Sequence, residues 1–185
     1  MKDIDEFDKF SISEFLSTRS VLYNLEPQNI GTPYTESLTS YIARIAQVHQ
    51  ISTGKLLKSV IEPYLKHEYL KAELSKGNSK DTEKYINENN LVTLDYVQTI
   101  EEMTGRTDLI YLTFLNWKGI FDRNIVGEYK KWCPVCFQEM KDNNQIIYEP
   151  LLWISNTISK CDIHKVQLEE VCSKCKKKCD IYIAE

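Results

Sequence analysis

All six cysteines of this 185-residue chain lie between Cys133 and Cys179. They read Cys133-Pro-Val-Cys136, then Cys161-Asp-Ile-His164, then Cys172-Ser-Lys-Cys175 and Cys179. A two-residue spacer lets a tight turn aim two side chains at one ion, and four such donors complete a tetrahedral zinc with no open position. Cys133, Cys136, Cys161 and His164 are therefore the candidate ligands of a structural Cys3His zinc site. The clustering makes a local apparatus rather than cross-links spread over the chain, and in a reducing compartment paired thiols mark metal more often than disulfide.

Cys172, Cys175 and Cys179 supply three thiols toward a second zinc. Its fourth ligand is open between Asp180, His67, His49, another molecule and sequence beyond Glu185. The alternative is an incomplete turn that holds no metal, with His49 and His67 as ordinary surface or core histidines. Trp132-Cys133-Pro134-Val135-Cys136 also looks like a thioredoxin-type redox motif. That chemistry needs a strand before the motif and a helix after it. The preceding segment is expected to be helical and a matching Cys-x-x-His follows, so metal binding is the preferred reading.

A chain of this length buries a core without disulfides, and its 42% hydrophobic and 27% charged residues exclude a disordered or collagen-like polymer. No apolar run approaches 18 residues, and the opening Met-Lys-Asp-Ile-Asp-Glu lacks an apolar signal core, so a soluble cytoplasmic protein with no membrane span is expected. The 27 acidic against 23 basic side chains argue against a DNA-coating protein, and the acidic excess falls in the first 110 residues. Any nucleic-acid contact must come from local patches, with Arg44, Lys55, Lys58, Arg123, Lys130, Lys131, Lys174, Lys176, Lys177 and Lys178 as the candidate phosphate contacts.

Three regions are expected. Residues 1–30 form an N-terminal arm that mixes acids with Phe7, Phe10 and Phe15, the candidate partner-docking residues. Residues 31–125 form a helical domain of helix-turn-helix type, and 126–185 a zinc-ribbon or zinc-finger module, so the fold class is mainly α. Leu38, Tyr41, Ile42, Ile45, Ala46 and Val48 recur close to helical spacing, with Thr32 as candidate cap and Pro33 at the first helical position. Ser52 is placed to cap a second helix carrying Leu56, Leu57, Val60 and Ile61, kinked at Pro63 and running toward Tyr69. Polar residues 75–90 read as a solvated excursion. Thr93 then caps a helix that Gly105 ends, and Thr107-Asp108 restarts one through Phe114, giving a second helix-turn-helix-like pair.

Three stretches together resemble the TniQ/TnsD family of transposon target-selection proteins. They are Pro33-Tyr34 with Glu36 to Ala46; Thr104-Gly105 with Leu109 and Leu112-Thr113-Phe114; and the cysteine region with Tyr148 to Trp153 and Leu168. The resemblance spans about 33–178. Family members often carry glycine after the zinc histidine, where this chain has Lys165, and many continue into a further cysteine pair. The length is most similar to the short TniQ proteins of CRISPR-associated transposons. The resemblance implies a prokaryotic adaptor without chemistry of its own. Such an adaptor links a CRISPR effector with its guide RNA, or target DNA, to the AAA+ ATPase regulator TnsC, with self-association open and no small-molecule substrate.

The residues themselves agree on the absence of catalysis. Ser52-Thr53-Gly54-Lys55 lacks the glycine that a phosphate-binding loop requires, since His49 stands there, and no set of transposase carboxylates is readable. The competing reading is an autonomous zinc-containing DNA-binding transcriptional regulator.

Overall fold

The computed structural model describes residues 20–67, 85–117, 119–120 and 125–178. Phe7, Phe10, Phe15, Tyr69, Arg123, Cys179 and Asp180 lie outside them.

Helix α1 (Leu38–Val48) buries Leu38, Tyr41, Ile42, Ile45 and Ala46 of the apolar stripe read from the sequence, while Val48, at its last turn, is exposed. Its cap is Ser37 and not Thr32: Ser37 Oγ accepts the Ser40 amide. Thr32 instead turns back on Asn29, donating to its carbonyl at 2.9 Å and accepting the Tyr34 amide. Helix formation waits for Ser37 because the residues just before it pair with another part of the chain. Leu151 N donates to Thr35 O at 2.8 Å, Ser37 N donates to Glu149 O at 2.9 Å, and Glu36 bridges Pro150.

A turn through Gln50, at φ 55°, leads to Ser52, whose side chain accepts the Lys55 amide and caps helix α2 (Thr53–Leu56) as the sequence suggests. The helix widens into a π turn over Leu57–Ile61 and tightens into a 3-10 turn over Glu62–Tyr64. Pro63 cannot donate to the ladder, so no α-helix passes it. The buried carboxylate of Asp95 receives the departing chain, accepting the Lys66 and His67 amides at 3.0 and 3.1 Å.

Helix α3 (Leu91–Thr104) starts from Asn90, whose side chain accepts the Thr93 amide; Thr93 is the capped residue, not the cap. It ends at Gly105, left-handed at φ 72°. The expected helix from Thr107 does not form. Two 3-10 turns stand there, Leu109–Leu112 and Phe114–Trp117, divided by Thr113 in extended conformation. Thr113 Oγ1 donates to Ile110 O and accepts from Leu115 N, a local alternative to the helical ladder. The Leu109 and Phe114 amides are drawn sideways to the Glu101 carboxylate and to Asn87 O.

The end of the polar stretch 75–90 is not solvated. Ile86, Asn87 and Glu88 are buried. Asn87 Oδ1 accepts the Thr39 amide and its Nδ2 donates to Thr39 Oγ1, so it stitches the start of α1. Glu88 Oε1 accepts the amide of Val126.

The segment leading to Cys133 is extended, not helical: Val126 bridges Ser155 and Trp132 bridges Glu169. Helix α4 (Pro134–Asp142) follows. Among the described residues the fold is mainly helical, with isolated bridges in place of longer strands, and no helix is long and apolar enough to cross a membrane. Three apolar clusters run through it. The largest joins α1 to α3, the second groups Phe114, Ile125, Val126, Leu151 and Ile154, and the third holds Cys133, Cys136, Cys161, Trp153 and Leu168.

Candidate metal centre

Cys133 is the cap of α4, with Pro134 in the first turn holding the backbone at helical φ. Its sulfur accepts the Cys136 amide at 3.5 Å. The second pair comes from a tight loop. Lys165 N donates to Cys161 O at 2.9 Å, Cys161 N to Val166 O at 2.8 Å, and His164 N to Cys161 Sγ at 3.5 Å. Lys160 bridges Gln167 across its base, and Lys165 takes the left-handed φ of 57° that reverses the chain.

The two turns meet. Cys136 Sγ lies 3.6 Å from Cys161 Sγ, and His164 Nδ1 lies 3.6, 3.3 and 3.7 Å from the sulfurs of Cys133, Cys136 and Cys161. A tetrahedral zinc with ordinary bond lengths requires about 3.8 Å between sulfurs and about 3.6 Å from sulfur to nitrogen. The donor set therefore fits zinc, and its four ligand atoms lie within 4.8 Å of one another. Zinc bound there would supply cross-linking of the two turns and leave no ligand position for an activated water. The pairing also answers the redox reading: each thiol of the Cys133–Cys136 pair faces His164 rather than standing alone at a helix end.

Cys136, Cys161 and His164 perturb one another electrostatically. Burial, with the neighbouring sulfurs, pushes the Cys136 thiol well above its usual range. Burial also works against the Cys161 thiolate, but hydrogen bonds from the His164 amide and ring overcome it and hold the group at about 7. Hydrogen bonds to Cys161 and Glu139 raise His164. Glu139 Oε1 lies 3.1 Å from His164 Nε2, the outer-shell carboxylate that orients a metal-binding ring. Sequence reading missed it, although its place three residues after Cys136 puts it on the same side of α4. Phe137 meets Trp153 edge-on at 5.6 Å and closes the apolar wall.

The Cys172–Cys175 turn repeats the Cys161–His164 loop. Lys176 N donates to Cys172 O and Cys172 N to Lys177 O, both at 2.9 Å; Lys176 has φ 58°, and Val171 bridges Lys178. Every feature has its counterpart eleven residues earlier. Amides of Cys175 and Lys174 lower the Cys172 thiol. His49 accepts the Tyr23 amide and meets its ring at 4.7 Å, tilted by 50°, and His67 Nδ1 lies 3.2 Å from Asp95, so both imidazoles have partners within the helical part.

The candidate phosphate contacts separate by surroundings. Arg44 reaches the buried Glu36 carboxylate at 2.5 Å and the Glu26 carbonyl. Lys130 pairs with Glu149 at 2.9 Å. Lys131 is buried, donating to the carbonyls of Ser155 and Ile158, and desolvation lowers its pKa. Lys178 pairs with Glu170 and lies over the Tyr129 ring. Lys55, Lys58, Lys174, Lys176 and Lys177 are exposed.

The family model described as TniQ matches residues 27–168, which takes in α1 through α4 and all four donors of the first centre. A search of curated proteins returns no match.

Proposed function

This chain belongs to the TniQ family, and on that premise we propose that it is a non-catalytic, cytoplasmic adaptor of DNA transposition, joining a target-recognition module to the AAA+ regulator TnsC. The observation that carries the reading is the match itself, which runs through both the helical part and the first metal centre. The closed Cys3His donor set is consistent with it, since such a zinc organises a fold and leaves no reactive position. The recognition module is a CRISPR effector with its guide RNA, or target DNA.

In this reading α1, the Gln50 turn and α2 act as the helix-turn-helix element. Lys55 and Lys58 are exposed on its second helix. Lys174, Lys176 and Lys177 on the second cysteine turn are the other phosphate contacts, giving weak, salt-sensitive association with nucleic acid rather than base readout. The backbone shared by the two cysteine turns supports a second zinc held by Cys172, Cys175, Cys179 and one further ligand.

Co-purification with an AAA+ ATPase from the same gene neighbourhood tests the adaptor role, with a mobility-shift titration of the chain alone as the counterpart. ATPase capture together with weak duplex binding is expected. Tight binding to one short duplex without partners, and no capture, would establish an autonomous DNA-binding regulator instead.

A further inference from the structure

A cavity of about 520 Å³ opens where the chain ahead of α1 meets the metal-binding part. Pro33 and Tyr34 form one side; Pro150, Leu152, Trp153 and Ile158 form the other. The volume is in the range of built ligand clefts, about 300–1,000 Å³, but the polar groups that would fix a small molecule are scarce. Asp162 and Lys165 at the mouth face each other at 2.6 Å. Lys160 is exposed there and has no carboxylate within ion-pair distance among the described residues. The site asks for a large apolar side chain with acidic neighbours.

We propose that the occupant is this chain's own N-terminal arm, with Phe7 seated between Pro33, Pro150 and Leu152 and the flanking Glu6 and Asp8 facing Lys160. The sequence Glu6-Phe7-Asp8 has the required chemistry within a stretch, residues 1–19, that is acidic overall. Its tether also fits. Ser20 is followed by Leu22, whose amide is fixed to Met103 O at 2.8 Å, so the arm leaves from a defined point. Thirteen residues separate Ser20 from Pro33 along the described chain, and thirteen separate Phe7 from Ser20. An extended arm therefore reaches back over whatever distance the chain itself covers to arrive at the cavity, about 45 Å at most. This short tether favours docking within one molecule over docking on a second copy.

The proposal does not depend on the transposition reading, and its test needs no partner. In the full-length chain Phe7 is replaced by p-benzoylphenylalanine, the protein is irradiated, and the adducts are mapped by mass spectrometry. The expected product is a single-chain adduct between position 7 and the segment 150–160. Its yield should fall severalfold in the Lys160→Glu variant, whose exposed side chain can change without disturbing the core. No adduct, an adduct elsewhere, an adduct joining two chains, or a yield indifferent to Lys160→Glu would each overturn it.

Discussion

Glu139 Oε1 lies 3.1 Å from His164 Nε2, the ring nitrogen opposite the one that faces three sulfurs. The carboxylate fixes which nitrogen carries the proton and leaves Nδ1 as the donor to metal. Glu139→Ala is expected to weaken zinc affinity about 10–100-fold while leaving the helical part intact. Competition against a chromophoric chelator measures the affinity, and an unchanged far-ultraviolet circular dichroism spectrum provides the control. Unaltered affinity would show that the contact orients nothing.

The Arg44–Glu36 pair makes a prediction with a definite pH sign. Burial raises the Glu36 carboxyl above its usual range, and Arg44 opposes that rise. A carboxyl raised by folding contributes stability that is complete below its ordinary range and is lost as pH climbs through the raised value. In Arg44→Met the opposing charge is gone, so the loss deepens. The variant should lie close to wild type near pH 4 and about 3–5 kcal/mol below it at neutral pH. Glu36→Gln should show a flatter profile. Urea unfolding across that interval measures both.

Asn87 holds the first turn of α1 from 48 residues away, through Thr39 N and Thr39 Oγ1. Asn87→Ala strands both groups and should cost about 1–3 kcal/mol. For a chain of this size that is a fall in Tm of about 2–4 °C per kcal/mol. Thermal melts of the variant check it.

Left-handed residues give paired tests of opposite sign. Lys165 occupies φ 57°, where a side chain is strained, so Lys165→Gly should stabilise by about 1 kcal/mol. Gly105→Ala should destabilise by a similar amount. A Cβ added there meets nothing nearer than Asn24 Nδ2 at 3.8 Å, so the cost is backbone strain and not a clash. Chemical denaturation of the two variants reads both signs.

What was legible in the sequence is what local chemistry dictates. Ligand spacing identified Cys133, Cys136, Cys161 and His164, apolar periodicity found the buried face of α1, and Ser52 and Gly105 marked a start and a stop. Some departures are local, as where Asn90 rather than Thr93 caps α3 and Thr113 bonds to Ile110 and Leu115, but others involve partners distant in the chain. Thr32-Pro33 looks like a helix start, but residues 35–37 are committed to 149–151. Asn87 and Glu88 look like loop residues because Thr39 and Val126, which satisfy them, are not their neighbours. Lys131 looks like a surface cation until the carbonyls of Ser155 and Ile158 enclose its ammonium.

The pairing of Glu149 with Ser40 joins residues 109 apart. At a translation rate of about 5–20 residues per second, the approach to α1 therefore waits about 5–20 s after its own synthesis for the strand that completes it. During nascent-chain growth the helical part can collapse around α1 and α3, but the ribosome must deliver residue 150 before the chain ahead of α1 finds its place. A stall or truncation between residues 125 and 145 would thus leave the Ser37 amide and the Thr35 carbonyl without their partners on a protein whose first helix is already made.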